Sequence, residues 1–211
     1  NITEFADSQK LAHWLPIDVY FGGLEHTTLH LLYSRFWHLV LYDLGYVKVS
    51  EPYTNRVPHG IILASDGEKM SKSRGNVVNP DDIVQKYGAD TLRMYELFLG
   101  PHEATVSWND RGIIGVRRFL ENTWQWVNSH LIDGEWNNAM ETSFDDKKRL
   151  HKLIKKISTD IESFRFNTCV SSFMQFKNEV KQLSKEDMIS FLILLYPFAP
   201  HIVEELMKSL T

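Results

Sequence analysis

PIDVYFGG, residues 16–23, has a short β-prone core at Val19, Tyr20 and Phe21 and runs into two glycines. A helical pattern follows over residues 25–44 and is closed by Gly45, as apolar spacing and a terminal glycine predict. Strand, glycine turn and helix in that order open a doubly wound α/β unit, where nucleotides sit at the carboxyl end of a parallel strand and glycines let a ligand approach the backbone. A second apolar run at residues 60–64 is expected to be the next parallel strand, with Ser65, Asp66 and Gly67 turning into a basic loop.

Further along, Asn79-Pro80 reads as an N-cap followed by proline at the first helical position, opening a helix that runs to Tyr87 and stops at Gly88. Another short helix is expected over residues 89–98, and Gly100-Pro101 is the best linker. Beyond Trp108 the pattern is helical throughout, over about residues 110–130, 144–163, 167–183, 186–197 and 200–210. Phe119, Trp124 and Val127 on one helix, and Val170, Phe173, Phe176 and Val180 on another, keep the three- and four-residue spacing of a bundle. The expected fold is therefore a Rossmann-like α/β half with parallel strands over residues 1–105, followed by an all-α helical bundle over 106–211.

Composition bounds the function. In 211 residues, 43% are hydrophobic and 24% charged, which is ordinary for a globular chain and argues against disorder. No apolar run is long enough to span a bilayer, so no membrane partner is expected. The first ten residues, NITEFADSQK, lack a basic start and an apolar signal core, and a cytoplasmic location is the default. Cys169 is the only cysteine, which excludes an internal disulfide and a thiolate-rich zinc site. Among Phe166, Val170 and Phe173 it reads as packing. The net charge of −4 leaves RNA binding to local patches. Candidates are Arg117 and Arg118, and a stripe of Lys147, Lys148, Arg149, Lys152, Lys155 and Lys156, for which a solvated helix face is the competing reading.

Residues 67–76 read GEKMSKSRGN and place Lys69, Lys72 and Arg74 on one glycine-flanked loop. Cations so arranged suit a polyphosphate, whose charge concentrates in the transition state; the bland alternative is a solvated turn. The string KMSKS, the surrounding DG-x-KMSKS-x-GNVV-x-P and the later YGADTLR (residues 87–93) resemble the class I aminoacyl-tRNA synthetases. VYFGGLEHTTLHLLYSRFWH (residues 19–38) is similar to the leucine-specific version of that core. RFNT (165–168) and YPFAPHIVEEL (196–206) resemble recurring pieces of the family's anticodon-binding bundle and read mostly as packing signals.

The resemblance implies activation of L-leucine by ATP and transfer to tRNA-Leu. Lys69 and Lys72 would clamp the triphosphate, with Met70, Ser71 and Ser73 beside them. Gly22 and Gly23 would line the nucleotide, Glu25 would hold the adenylate ribose, and His26 would lie next to it. Backbone groups of Gly60 and Ile62 would serve adenine. Tyr20 and His30 would face the leucine side chain. Mg²⁺ would come with the ATP phosphates. His26 and His30, four residues apart on one expected helical face, offer only two ligands, so no zinc is expected; for His30 a satisfied core histidine is the alternative.

Two departures stand out. His59-Gly60-Ile61 occupies the place where the family usually has Gln-Gly-Met, which puts the role of that glutamine in question. The family's first signature, His-x-Gly-His, and its editing insertion are absent from these 211 residues, so the expectation is a fragment or one piece of a split enzyme, inactive alone, whose missing catalytic half lies on the same or another polypeptide. The alternatives are a non-catalytic RNA-binding module and an isoleucine, valine or methionine enzyme.

Overall fold

The computed structural model describes residues 4–210. The first three residues of the N-terminal stretch and the last residue of the expected bundle lie outside them. The chain packs as two compact units, one running to Ile61 and including Glu103–Thr105, the other made of Ile62–His102 and Val106 onward.

In the first unit α1 (Ser8–Trp14) begins at Asp7, whose carboxylate accepts from the backbone of Gln9 and Lys10 at 2.9 and 3.1 Å. β1 (Ile17–Gly23) follows and pairs in parallel with β2 (Tyr53–His59), Ile17 opposite Tyr53 and Gly23 opposite His59. Parallel neighbours need a crossover, and α2 (His30–Asp43) lies in it. The helix is shorter than its apolar pattern suggests. Leu24–Thr27 form a 3₁₀ turn, Leu29 breaks away at φ −113°, ψ −104°, and α2 starts only at His30. Thr27 and Thr28 are the reason: their hydroxyls donate to the carbonyls of Leu24 and Glu25 at 2.6 and 3.3 Å, competing with helical bonding. At the far end Gly45 takes φ +76°, and Tyr46 N–H closes on Leu41 O at 2.9 Å, a glycine C-terminal cap.

The second strand is not residues 60–64. β2 is YTNRVPH, polar in its middle with Thr54, Asn55 and Arg56 exposed, so it shows no apolar run. The expected segment supplies only β3 (Ile62–Leu63), which pairs in parallel with β4 (Val106–Ser107) in the second unit.

There, α3 (Pro80–Tyr87) and α4 (Ala89–Phe98) precede β4, and α5 (Asp110–Asn128) opens the helical region. A hairpin of β5 (Leu131–Ile132) and β6 (Glu135–Trp136) turns on Asp133 and Gly134, both at positive φ, the primed-turn geometry that an Asp-Gly pair supports. α6 (Phe144–Glu162), α7 (Phe166–Glu179), α8 (Lys185–Leu195) and α9 (Pro200–Lys208) complete it. Asn79, Asn109, Ser143 and Ser184 cap α3, α5, α6 and α8 with their side chains. Phe173, Ile157, Phe191, Leu195 and Leu206 are fully buried at the centre.

α4 ties into this bundle. Asp90 accepts from the backbone N–H groups of His201 and Ile202 at 3.3 and 2.7 Å and from His201 Nδ1 at 2.7 Å, capping α9, while Arg93 donates to Pro197 O at 3.0 Å. YGADTLR and YPFAPHIVEEL thus meet through Asp90, Arg93, Pro197 and His201. Packing therefore places residues 62–102 with the helices, whereas the composition change near 105 separates α/β sequence from all-helical sequence. Among the described residues no helix is long and apolar enough to cross a membrane.

His130 is a buried polar junction in this unit. Its Nδ1–H donates to Trp126 O at 2.7 Å, Nε2 accepts from Leu183 N–H at 3.2 Å, and the ring stacks on Trp136 at 5.2 Å. Burial pushes its pKa down, opposed by the bond to Trp126 O. A histidine held neutral in the fold binds fewer protons than in the unfolded chain, so its contribution is complete above the ordinary histidine value of about 6.5 and is lost as pH falls through the lowered folded value. The thermal midpoint is expected to fall between pH 7 and pH 5, and His130→Asn to flatten that dependence while lowering the midpoint at pH 7; an unchanged slope would remove His130 from the account.

Candidate functional site

The first unit holds a cleft of about 530 Å³ at the carboxyl end of β1, lined by Tyr20, Phe21, Gly22 and Gly23 from the strand, His26 and Leu29 from the turn, His30 and Tyr33 from α2, and His59 from the end of β2. Tyr20 OH and His30 Nδ1 share a hydrogen bond of 2.9 Å, and their rings are parallel, 5.7 Å apart. Burial, with the phenols of Tyr53 and Tyr33 nearby, raises the Tyr20 pKa, so the hydroxyl stays neutral. Tyr33 meets His30 edge-on at 5.0 Å. One side of the cleft is thus aromatic, with a hydrogen-bonded Tyr20–His30 pair inside it.

His26 and His30 are not on one helical face, because the 3₁₀ turn and the break at Leu29 separate them. The turn still brings their rings within 6.5 Å. His26 Nδ1 is buried and has no hydrogen-bond partner. Such a group costs free energy unless something else satisfies it.

The glycines differ in what requires them. A Cβ on Gly22 would meet only His26 and Tyr20 carbons at an ordinary 3.8 Å, whereas one on Gly23 would strike the Glu25 carboxylate, which folds back over that glycine. A Cβ on Gly60 would strike the Ala104 carbonyl, so close backbone packing accounts for that glycine. Gly22→Ala is therefore expected to leave thermal stability within about 0.5 kcal/mol; a larger drop in the thermal midpoint would show that the strand end has no room for a methyl group.

In the second unit β3 delivers Ile62 to the core margin, and the basic loop follows. Gly67, at φ +79°, completes the first turn, and Gly75, at φ +68°, ends a 3₁₀ turn over Lys72–Arg74. Met70 packs against the hydrophobic core and anchors the loop. Ser71 and Ser73 hydroxyls are 2.8 Å apart. Asn76 laces the loop shut: its Oδ1 accepts from Ser71 N–H at 2.8 Å, and its Nδ2 reaches Asp66 and Lys69 O at 3.4 Å. Arg74 pairs with Glu68 at 2.9 Å. Lys69 and Lys72 are exposed and make no ion pair among the described residues, so the loop presents two uncommitted cations. Asn76 was not singled out by sequence reasoning, although an Asn following Gly in a turn carried the signal.

The structure thus gathers Tyr20, Gly22, Gly23, His26 and His30 around one cleft, leaves Glu25 outside its lining with the carboxylate folded over Gly23, and sets Lys69, Met70, Ser71, Lys72 and Ser73 on one loop. Gly60 belongs to the first unit and Ile62 to the second. Of the basic patches, Arg117 is spent on Glu121 and Tyr87 O at 2.7 and 3.0 Å, Arg149 on Asp146 at 2.8 Å, and Lys156 on Asp160 at 2.6 Å. Lys147, Lys148, Lys152 and Lys155 stay exposed.

Residues 3–109 match the family of tRNA synthetases class I (I, L, M and V), and residues 147–211 match the anticodon-binding domain of tRNA ligase. The chain is 50% identical over 213 aligned positions to the Leucine–tRNA ligase of Alkaliphilus oremlandii, an alignment that takes in all of this chain and 26% of that protein. The chain therefore spans about a quarter of the length of that curated relative. Among solved structures it is similar to the LeuRS of Agrobacterium radiobacter K84 in a ternary LeuRS–tRNA–LeuAMS complex, at 34% identity and a TM-score of 0.81, covering 97% of this chain and 29% of that one. The methionyl-tRNA synthetase of Mycobacterium tuberculosis with methionyl-adenylate matches in fold, at 19% identity and a TM-score of 0.72 over 98% of this chain and 46% of that one. With parallel strand pairs, a glycine-lined cleft, a KMSKS loop and a helical bundle on one chain, and a family match over half its length, the protein belongs to the class I aminoacyl-tRNA synthetases of the isoleucine, leucine, methionine and valine group.

Proposed function

We propose that these residues serve a leucine–tRNA ligase. A carboxylate oxygen of L-leucine attacks the α-phosphorus of ATP, the bond to the bridging oxygen breaks, and pyrophosphate leaves; a ribose hydroxyl at the 3′ end of tRNA-Leu then attacks the leucyl carbonyl and releases AMP. The observation that carries this reading is the loop: Lys69 and Lys72 are exposed, unpaired among the described residues and held by Met70 and Asn76, in a chain half identical to a Leucine–tRNA ligase. Two preorganised cations stabilise the triphosphate as charge moves onto the departing pyrophosphate. Gly22, Gly23, Glu25 and His26 take the nucleoside, Gly60 and Ile62 offer backbone groups to adenine, and Tyr20 and His30 face the amino acid. Mg²⁺ arrives on the ATP phosphates, and catalysis is positioning with phosphate stabilisation.

Residues 1–105 act in this reading as the second half of the catalytic domain and 106–211 as the helical part that supports tRNA-Leu. The apolar side chains Leu32, Tyr33, Phe36 and Trp37 on α2 are 60–67% exposed, although a parallel sheet and its helices are normally covered on both faces. Their exposure supports the view that further catalytic-domain sequence packs there, on the same or another polypeptide. The 211 residues alone are accordingly expected to give no leucine-dependent ATP–pyrophosphate exchange, and the full reading frame to give it. Robust exchange from the 211 residues would overturn the incomplete-site reading; none from the full protein would favour an RNA-binding module, as would tRNA-Leu affinity untouched by Lys69→Ala and Lys72→Ala in a protein that binds no ATP.

A further inference from the structure

Two tyrosines of the first unit, one from each strand, reach the same helix one turn apart. Tyr20 of β1 shares its 2.9 Å hydrogen bond with His30, and Tyr53 at the start of β2 donates to Ser34 Oγ at 3.1 Å. His30 and Ser34 are four residues apart on α2 and so lie on one face of it. Ser34 commits its own proton to Leu31 O at 3.3 Å, so its oxygen meets Tyr53 as an acceptor. The two phenol rings also touch each other, centroids 4.7 Å apart and tilted by 58°. Tyr20, His30, Ser34 and Tyr53 therefore close a ring that ties β1 and β2 to α2. Tyr20 and His30 line the cleft, whereas Tyr53 and Ser34 do not.

The use of the second pair follows from the shape of a phenol. Its hydroxyl lies on the axis about which the ring turns, and that torsion has a broad minimum. The bond to His30 fixes where the Tyr20 hydroxyl sits and leaves the plane of the ring to its packing. Tyr53 packs there and is itself held at its tip by Ser34. We propose that Tyr53, seated by Ser34, is a positioning residue that sets the plane of Tyr20 and, through it, the shape of the wall that meets the amino-acid side chain. Tyr53 touches no substrate. Hydrophobic pockets separate side chains that differ by one methylene only roughly 10–200-fold, so a wall free to turn loses discrimination readily. The assignment rests on the ligase reading and deepens its amino-acid subsite.

The test is ATP–pyrophosphate exchange by the protein expressed from its full reading frame, with leucine and isoleucine compared and a thermal midpoint taken for each variant. The two amino acids bury the same atoms and differ in where the chain branches, so loosened contact costs both alike and a changed shape alters their ratio. Tyr53→Leu is expected to raise the KM for leucine about tenfold, with kcat, the KM for ATP and the KM for isoleucine within about twofold of wild type. Tyr53→Phe keeps the ring and loses the hydroxyl; it and Ser34→Ala should each raise the leucine KM about threefold, and the double variant no further, because both remove one bond. That cycle decides the matter if Tyr53→Leu does not fold. An unchanged leucine KM, equal losses for leucine and isoleucine, an equal rise in the KM for ATP, or additive losses in the double variant would each overturn the proposal. Leucine-dependent exchange without the expected pattern removes Tyr53 and leaves the ligase reading standing, while absence of exchange overturns both.

Discussion

Lys72→Ala is expected to slow leucine-dependent ATP–pyrophosphate exchange by roughly 10²–10³-fold in the full protein, the cost of about 2.7–4 kcal/mol for losing one preorganised charge contact to a transition state. The structure says why the loss should fall on the reaction and not on the fold. Lys72 opens the 3₁₀ turn over Lys72–Arg74, its side chain is exposed, and it holds no carboxylate among the described residues. Lys69 shares that freedom, whereas Arg74 is already paired with Glu68 and its replacement should cost the rate much less. The measurement is steady-state exchange at saturating leucine alongside a thermal midpoint for each variant. An unchanged midpoint with a collapsed rate is the expected pair. A Lys72→Ala protein with near-normal rate would remove the loop from the chemistry, and with it the main support for the proposed activity.

Asp160→Ala should be among the more damaging single changes to the fold, destabilising by about 2–3 kcal/mol, because it removes the one acceptor that Lys156, Arg165 and Thr168 share while the two cations, half exposed, fall back on water. The carboxylate is 4% exposed and takes Lys156 Nζ at 2.6 Å, Arg165 Nε and Nη2 at 3.0 and 2.9 Å, and the Thr168 hydroxyl at 2.5 Å. Those donors come from α6, from the turn after it and from α7, and Arg165 N–H also closes on Asp160 O at 2.8 Å, so one side chain sets the α6–α7 turn. Burial by itself would raise its pKa; the hydrogen bonds from Lys156, Thr168 and Arg165 outweigh it and hold the value at about 2, below the usual 3.8. A carboxylate with a lowered folded pKa contributes stability that is complete above the unfolded value and is lost as pH falls through the folded one. Between about pH 4 and pH 2 the protein should therefore lose about 2 kcal/mol from this site, and Asp160→Asn should lack that component. Denaturant titrations at pH 7 and pH 3 read both effects; an Asp160→Ala variant within 1 kcal/mol of wild type would show that the cluster is ornamental.

Much of this protein was legible where the signal is local. Asn79-Pro80, Tyr87-Gly88 and the bundle spacings marked α3, α4 and the later helices because caps and apolar periods are written in adjacent residues. GEKMSKSRGN marked the basic loop for the same reason. The misreadings were all non-local or competitive. The threonine pair that breaks helix at Thr27–Thr28 looks helical until its hydroxyls are seen on backbone carbonyls. β2 has no apolar alternation because its middle faces water, so the segment after it was read as the strand. The Asp-Gly hairpin signal at Asp133-Gly134 was passed over in the connection between the helices expected over 110–130 and 144–163.

The sequence by itself determined the class of fold, the family resemblance and the residue types of the site, since glycine turns, caps and a charged loop are set by neighbours along the chain. Tertiary structure alone decided that Asp90 caps a helix more than a hundred residues away, that RFNT closes on Asp160, that Asn76 laces the lysine loop, and that His59 faces Gly23 across a strand pair. The reason is physical: a hydrogen-bond acceptor in the sequence states only what it can do, and which donor reaches it is fixed by packing that brings distant segments into one place.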